Sequence, residues 1–246
     1  MFSPIEEFDV INKVNLIWYF YDFSLNQVNI YLIILMFFIG MITYICLSTM
    51  KVVPYKGQLI FESLYKFILN LIKEQMGSKG FIYFPFVFSL FFFVLFANLL
   101  GLAPLGLSLT SYMGITFFFS ITLWMGMTVL GFKMYKLKFL KMFTPDVNIE
   151  LLIVLIIIDL LSYVIRAFSL AIRLSANITA GHTLLNVISG LNLTVLHFLI
   201  SFFPITFILI LSILILELGI AFVQSYVFIM LFTIYLNDIY EAGSIH

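Results

Sequence analysis

The chain alternates long apolar blocks with short polar breaks, and the lengths of the blocks predict its elements. The first block, Val28 to Thr49, carries no charged residue. With a rise of about 1.5 Å per residue, a helix of that length crosses a hydrocarbon layer of roughly 30 Å. Gln58 to Gly77 reads differently. Its apolar residues recur at Leu59, Phe61, Leu64, Phe67, Ile68, Leu71 and Ile72, with Glu62, Lys66, Lys73 and Glu74 among them. This helical period with charges between is the pattern of a helix lying on the membrane surface. Apolar blocks return at Phe84–Leu105 and Tyr112–Phe132 and predict a pair of spans.

The last two blocks are too long for ordinary spans. Ile149–Gly190 and Leu193–Asn237 each exceed forty residues, so either helix would reach roughly 60 Å, about twice the layer it crosses. No proline interrupts the first, and Pro204 falls in the second. Each is either two spans folded back or one steeply tilted helix, and the first has no turn signal in its middle, which favours tilt. A tilt of about 60° exceeds ordinary mismatch adjustment and implies a large partner holding the helix. The predicted fold is an all-α membrane protein in one integral membrane domain, residues 1–246. It has one transmembrane helix, one amphipathic surface helix, a transmembrane hairpin and two long steeply tilted helices.

Composition agrees and narrows the function. Hydrophobic residues make up 63% of the chain and charged ones 10%, too apolar a balance for a water-facing domain of this length. A net charge of zero removes the case for nucleic-acid binding. The single cysteine, Cys46, excludes an internal disulfide and a thiolate metal cage. His182, His197 and His246 are too scattered to supply a pair of haem ligands on neighbouring helices, so neither a metal nor a cofactor is expected. The N-terminus, MFSPIEEFDV, has neither the basic start of a signal peptide nor the Arg-rich pattern of a transit peptide. Abundant Phe, Ile, Tyr and Asn fit AT-rich coding, as in the small genome of a mitochondrion.

Nine of the twelve basic residues lie in Lys51–Lys79 or Lys133–Lys141. Two spans separate these segments, so both fall on one side. The positive-inside rule makes that side the cytoplasm or matrix, which leaves the acidic start (Glu6, Glu7, Asp9, Asp22) on the other.

The polar residues inside the long blocks carry the candidate chemistry. Asp159, Arg166 and Arg173 are spaced by seven, with Asn177 four further on. At about 100° per residue these four share one narrow helical stripe. Ser162, Ser169, Ala176 and Ala180 border it, and His182 points away. On the next block Glu217 and Gln224 are again seven apart, with Ala221 between them. A central arginine or aspartate costs roughly 2.5–3.5 kcal/mol on insertion scales. One explanation is structural: interhelical ion pairs among small side chains that allow close packing. The other is functional. Arg173 is permanently cationic, whereas a carboxyl in lipid prefers to be protonated. A carboxyl brought to Arg173 across the small-residue face would lose its proton there.

The string RLSANITAGH followed by LELGIAFVQSYVF resembles subunit a of the rotary ATP synthase, of the mitochondrial type. The similarity is strongest over Asp159–Gly190 and Glu217–Leu236. It is clear at FANLLGLAP, Phe96–Pro104, and weaker at SPIEEF. The resemblance implies six helices, with the two long ones lying against a rotor ring of c subunits, each bearing a carboxyl. It implies that Arg173 faces that carboxyl, with Asn177 and Gln224 as polar companions. His182 and Glu217 match an outer half-channel, in the order of the mitochondrial members. Asp159 matches an acid, more often Glu, of the inner half-channel, and Asp238 is an inner-exit candidate. Arg166 is secondary, because some relatives have Gln there. The implied partners are the c ring, other membrane-sector and peripheral-stalk subunits, and lipid, cardiolipin included. The transported ion is the proton, and the location is the mitochondrial inner membrane with the N-terminus facing the intermembrane space.

Two rival readings remain at this level. A self-contained secondary transporter predicts internal repeats and broken helices around its site, and the sequence shows no repeat. A structural subunit of a respiratory complex predicts that Arg173 serves assembly alone.

Overall fold

The helices follow from the apolar blocks, with proline or glycine marking some of their ends. The computed structural model describes residues 12–14, 17–18, 21–22, 25–48, 55–102, 110–136, 139, 149–196 and 203–244. The helices are α1 (Gln27–Ser48), α2 (Lys56–Met76), α3 (Phe84–Gly101), α4 (Met113–Tyr135), α5 (Ile149–Leu196) and α6 (Phe203–Ser244). Among the described residues, five apolar runs are long enough to cross a membrane: Val28–Ile45, Lys56–Gly101, Met113–Tyr135, Val154–Ile188 and Phe207–Glu241. The protein is thus an all-helical membrane protein in its apolar body. Ahead of α1 lie short strands that the sequence reading did not foresee. Strand β1 (Asn12–Val14) pairs with β4 (Leu25–Asn26), and β2 (Ile17–Trp18) with β3 (Tyr21–Asp22), both antiparallel. Glu6, Glu7, Asp9, Lys51, Pro104, Leu105, Lys138, Lys141, Pro145, His197 and His246 lie outside the described residues.

The second long block does not begin where the sequence suggested. The first long block ends at Gly190, yet α5 continues through that residue to Leu196. A glycine inside a helix costs only about 1 kcal/mol, too little to break an apolar helix of 48 residues. Residues 193–196 therefore belong to α5, and α6 opens at Phe203 with Pro204 in its first turn. Proline fits there because that N–H has no intrahelical acceptor. Pro85 holds the same place in α3.

Contacts divide the chain into two compact units, and the division falls inside α3, α5 and α6. One unit comprises Met1–Met50, Phe92–Met113 and Leu174–Ser225. Its core holds Leu35 of α1, Val94 and Ala97 of α3, Leu174 and Ile178 of α5, and Ala221 of α6. Phe38 meets Phe96 edge-on at 5.6 Å. The hydroxyls of Ser175 and Thr179 both donate to the carbonyl of Ser111, which ties α5 to the chain just before α4.

The other unit comprises Lys51–Phe91, Gly114–Arg173 and Tyr226–His246. Here α2 buries Ile68, Leu71, Ile72 and Met76 and exposes Lys66, Lys73 and Glu74, the amphipathic split its sequence predicts. Gly77, at φ 63°, ends the helix, its N–H donating to the Lys73 carbonyl. Only glycine takes that conformation without penalty. A 3-10 turn, Gly77–Tyr83, then leads into α3. Phe61 and Tyr65 of α2 pack edge-on against Phe88 of α3. Farther along, Ser120 of α4 donates to the Ala167 carbonyl of α5 at 2.7 Å, and Phe119 stacks on Phe228 of α6.

Candidate functional site

In the first unit, α5 and α6 run antiparallel and bring four of the expected residues into one polar cluster. Asn177 Nδ2 donates to Gln224 Oε1 at 3.4 Å, the long end of the hydrogen-bond range. About one turn farther along α5, Gly181 faces Glu217. A Cβ built on Gly181 would overlap Glu217 Oε1 and lie 2.7 Å from its Cδ. The Glu217 side chain therefore lies against the bare backbone of α5. Glu217 is 6% exposed, and among the described residues neither of its oxygens has a hydrogen-bond partner. His182 lies within electrostatic range of Glu217, and its Nε2 is 2.5 Å from the Gly101 carbonyl of α3. A carbonyl only accepts, so Nε2 carries the proton in this contact.

The second unit gathers Arg166 and Asp238. Arg166 Nη1 is 3.7 Å from Asp238 Oδ2, and the guanidinium stands 5.3 Å from the centroid of the Tyr235 ring. Tyr235 meets Tyr163 edge-on, and Tyr163 in turn packs on Trp124. Beneath these rings is an apolar cavity of about 20 Å³, lined by Ser120, Trp124, Met127, Ala167, Phe232 and Tyr235 among others. Tyr240, two residues past Asp238, donates to the Tyr83 hydroxyl at 3.0 Å.

Two expected residues stand apart from these clusters. Arg173 is exposed, as are Ala176 and Ala180 farther along α5. Among the described residues Arg173 has no ion pair or hydrogen bond. Asp159 is half-buried on α5, also without an ion pair among the described residues. The predicted stripe thus separates into different environments: Arg166 is held by Asp238 and Tyr235, while Arg173 is left open.

Sequence reasoning gave no role to Gly101, Gly181 or Tyr235. Gly101 lies in FANLLGLAP and Gly181 in the RLSANITAGH string, so both were within the segments that carry the resemblance. Tyr235 is three residues before Asp238, on the same side of α6, but a tyrosine in so aromatic a chain gives no signal of its own.

The sequence profile of the ATP synthase A chain matches residues 19–237. The chain is 39% identical to ATP synthase subunit a of Acanthamoeba castellanii over 247 aligned positions, covering 99% of both chains. It is 38% identical to the subunit a of Dictyostelium citrinum, covering 97% of this chain and 98% of the relative. Against the bacterial subunit a of Paramagnetospirillum magneticum the identity is 37%, with 97% and 98% covered. With a family match over most of its length and near-complete alignment to these relatives, the chain belongs to the ATP synthase subunit a family.

Proposed function

We propose that the chain is the proton-conducting stator subunit of a mitochondrial ATP synthase. The observation that carries this reading is the setting of Arg173, a permanent cation exposed on an apolar, unbroken α5 with no ion pair or hydrogen bond among the described residues. A charge so placed is expensive in lipid unless a partner brings the counter-charge. The exposed Ala176 and Ala180 let such a partner approach closely. The partner is a ring of c subunits, each offering one carboxyl to Arg173 in turn.

Two half-channels then serve the ring. In the outer one a proton passes His182 and Glu217 and reaches a ring carboxyl, with Asn177 and Gln224 as polar neighbours. After nearly a full turn of the ring it leaves past Asp159 and Asp238 on the inner side. Arg173 forces each carboxyl to give up its proton and keeps the two paths from joining. The subunit transports protons without cofactor, nucleotide or covalent intermediate, so catalysis belongs to the assembled synthase. The basic segments face the matrix and the N-terminus faces the intermembrane space.

The test is Arg173→Ala in the whole complex. The complex should assemble in normal amount while coupled ATP synthesis disappears. Normal synthesis in that variant removes the reading. A loss of assembly with unchanged turnover per assembled complex supports the structural-subunit alternative instead.

A further inference from the structure

Asn98 of α3 is the most completely buried polar side chain of the first unit besides Ser225, at 0% exposure. Among the described residues neither its Oδ1 nor its Nδ2 has a hydrogen-bond partner. Proteins rarely leave a buried carboxamide in that state, and ordered water is the usual solution where neighbouring groups are polar. Polar groups of that kind lie along the same helix and in the same unit. Asn98 stands three residues before Gly101 on the same side of α3, and the Gly101 carbonyl holds His182. The same unit contains further buried atoms without a hydrogen-bond partner among the described residues: both oxygens of Glu217, Nε2 of Gln224 and the hydroxyl of Thr110. Two helices, α3 and α6, and the turn before α4 thus each contribute buried polar groups that a mobile donor and acceptor can satisfy.

We propose that Asn98 is a positioning residue of the outer proton path, holding water between α3 and the His182–Glu217 pair. The inference rests on the function proposed above and adds a residue and a role to it. A carboxamide suits the task because it both donates and accepts yet never ionises. It can orient water beside Glu217 without competing for the proton. An apolar side chain of the same size would dry the site, leaving Glu217 to exchange protons without a relay.

The experiment uses the intact synthase reconstituted in liposomes, with Asn98→Leu, Asn98→Ser and Asn98→Cys, the last in a Cys46→Ser background. Asn98→Leu should assemble and lose synthesis per complex by roughly tenfold or more. Its dependence on the pH of the proton-supplying side should shift, because delivery to Glu217 has become limiting. Asn98→Ser, smaller and still polar, should recover most of the rate by admitting water. Asn98→Cys should react with a small water-borne thiol reagent, since only a hydrated thiol ionises readily. Normal turnover and an unchanged pH profile in Asn98→Leu overturn the inference. An inert Asn98→Cys overturns it as well. If Asn98→Leu fails to assemble, the Ser and Cys variants decide. Should Arg173→Ala abolish synthesis while all Asn98 variants behave as wild type, the Asn98 role alone falls. If Arg173→Ala retains synthesis, the function proposed above falls.

Discussion

Arg166 and Asp238 form an ion pair between α5 and α6, with 3.7 Å between Nη1 and Oδ2, and the Tyr235 ring lies beneath the guanidinium. The side chains are 46% and 30% exposed, so part of their attraction is screened. Removing one partner nevertheless leaves a charge facing aromatic rings. Removing both charges leaves side chains that tolerate that setting. The single variants Arg166→Gln and Asp238→Asn should therefore each destabilise the assembled complex, and the double variant should be milder than their sum. A coupling of about 0.5–2 kcal/mol is expected from thermal unfolding. Strict additivity would mean that the contact is energetically idle.

A second expectation concerns Gly181. A Cβ at this position overlaps Glu217 Oε1 and crowds its Cδ and Cγ, at 2.7 and 3.2 Å. Gly181→Ala must push the carboxylate off α5, at an overpacking cost of about 1–3 kcal/mol. ATP synthesis should fall while assembly persists. Gly40 of α1 has no atom within 4 Å of its Cβ position, so Gly40→Ala serves as the control and should be silent. A Gly181→Ala enzyme with the turnover of the control would show that the position of Glu217 is not critical.

How much of this was legible beforehand depends on the kind of signal. Apolar length and period located the six helices, because membrane spans and amphipathic faces are written directly into hydropathy. The block Ile149–Gly190 falls six residues short of the end of α5, because a single glycine costs a long apolar helix too little to end it. Among the candidate residues, Arg173, His182, Glu217 and Gln224 stand out as polar positions in apolar surroundings. The pairing of Arg166 with Asp238 did not, since the partners are far apart in sequence and no local pattern joins them. Gly101 acts through its backbone carbonyl, and Gly181 through the side chain it lacks. The first property leaves no trace in residue type, and the second does not say which side chain fills the space left free.

Tyr240 and Tyr83 give a stability prediction away from the stripe. The Tyr240 hydroxyl donates to the Tyr83 hydroxyl at 3.0 Å, linking the last turns of α6 to the 3-10 turn before α3. The rings also meet edge-on, with centroids 6.0 Å apart. Tyr240→Phe keeps the ring contact and removes the hydrogen bond, so it should cost about 1 kcal/mol. Tyr240→Ala removes both and should cost more, by about 0.5–1.5 kcal/mol for the aromatic pair alone. Thermal unfolding of the two variants separates the contributions. If both unfold together, the hydroxyl bond contributes all the stability of the contact.

The contact between His182 and Gly101 distinguishes a positional role for the imidazole from a purely titrating one. With Nε2–H donating to the Gly101 carbonyl, the ring is oriented by α3, and Gly101 is itself buried. His182→Leu leaves that buried acceptor without its donor, at a cost of about 1–3 kcal/mol, and also removes the proton-accepting ring. His182→Gln cannot titrate, but its amide can still donate to the same carbonyl. The Gln variant should therefore restore thermal stability close to wild type while ATP synthesis stays low. If Gln restores synthesis as well as stability, His182 works by holding α3 and α5 in register, and the proton reaches Glu217 without passing through the imidazole. If Gln restores neither, the Gly101 contact does not hold the ring, and the orientation argument fails.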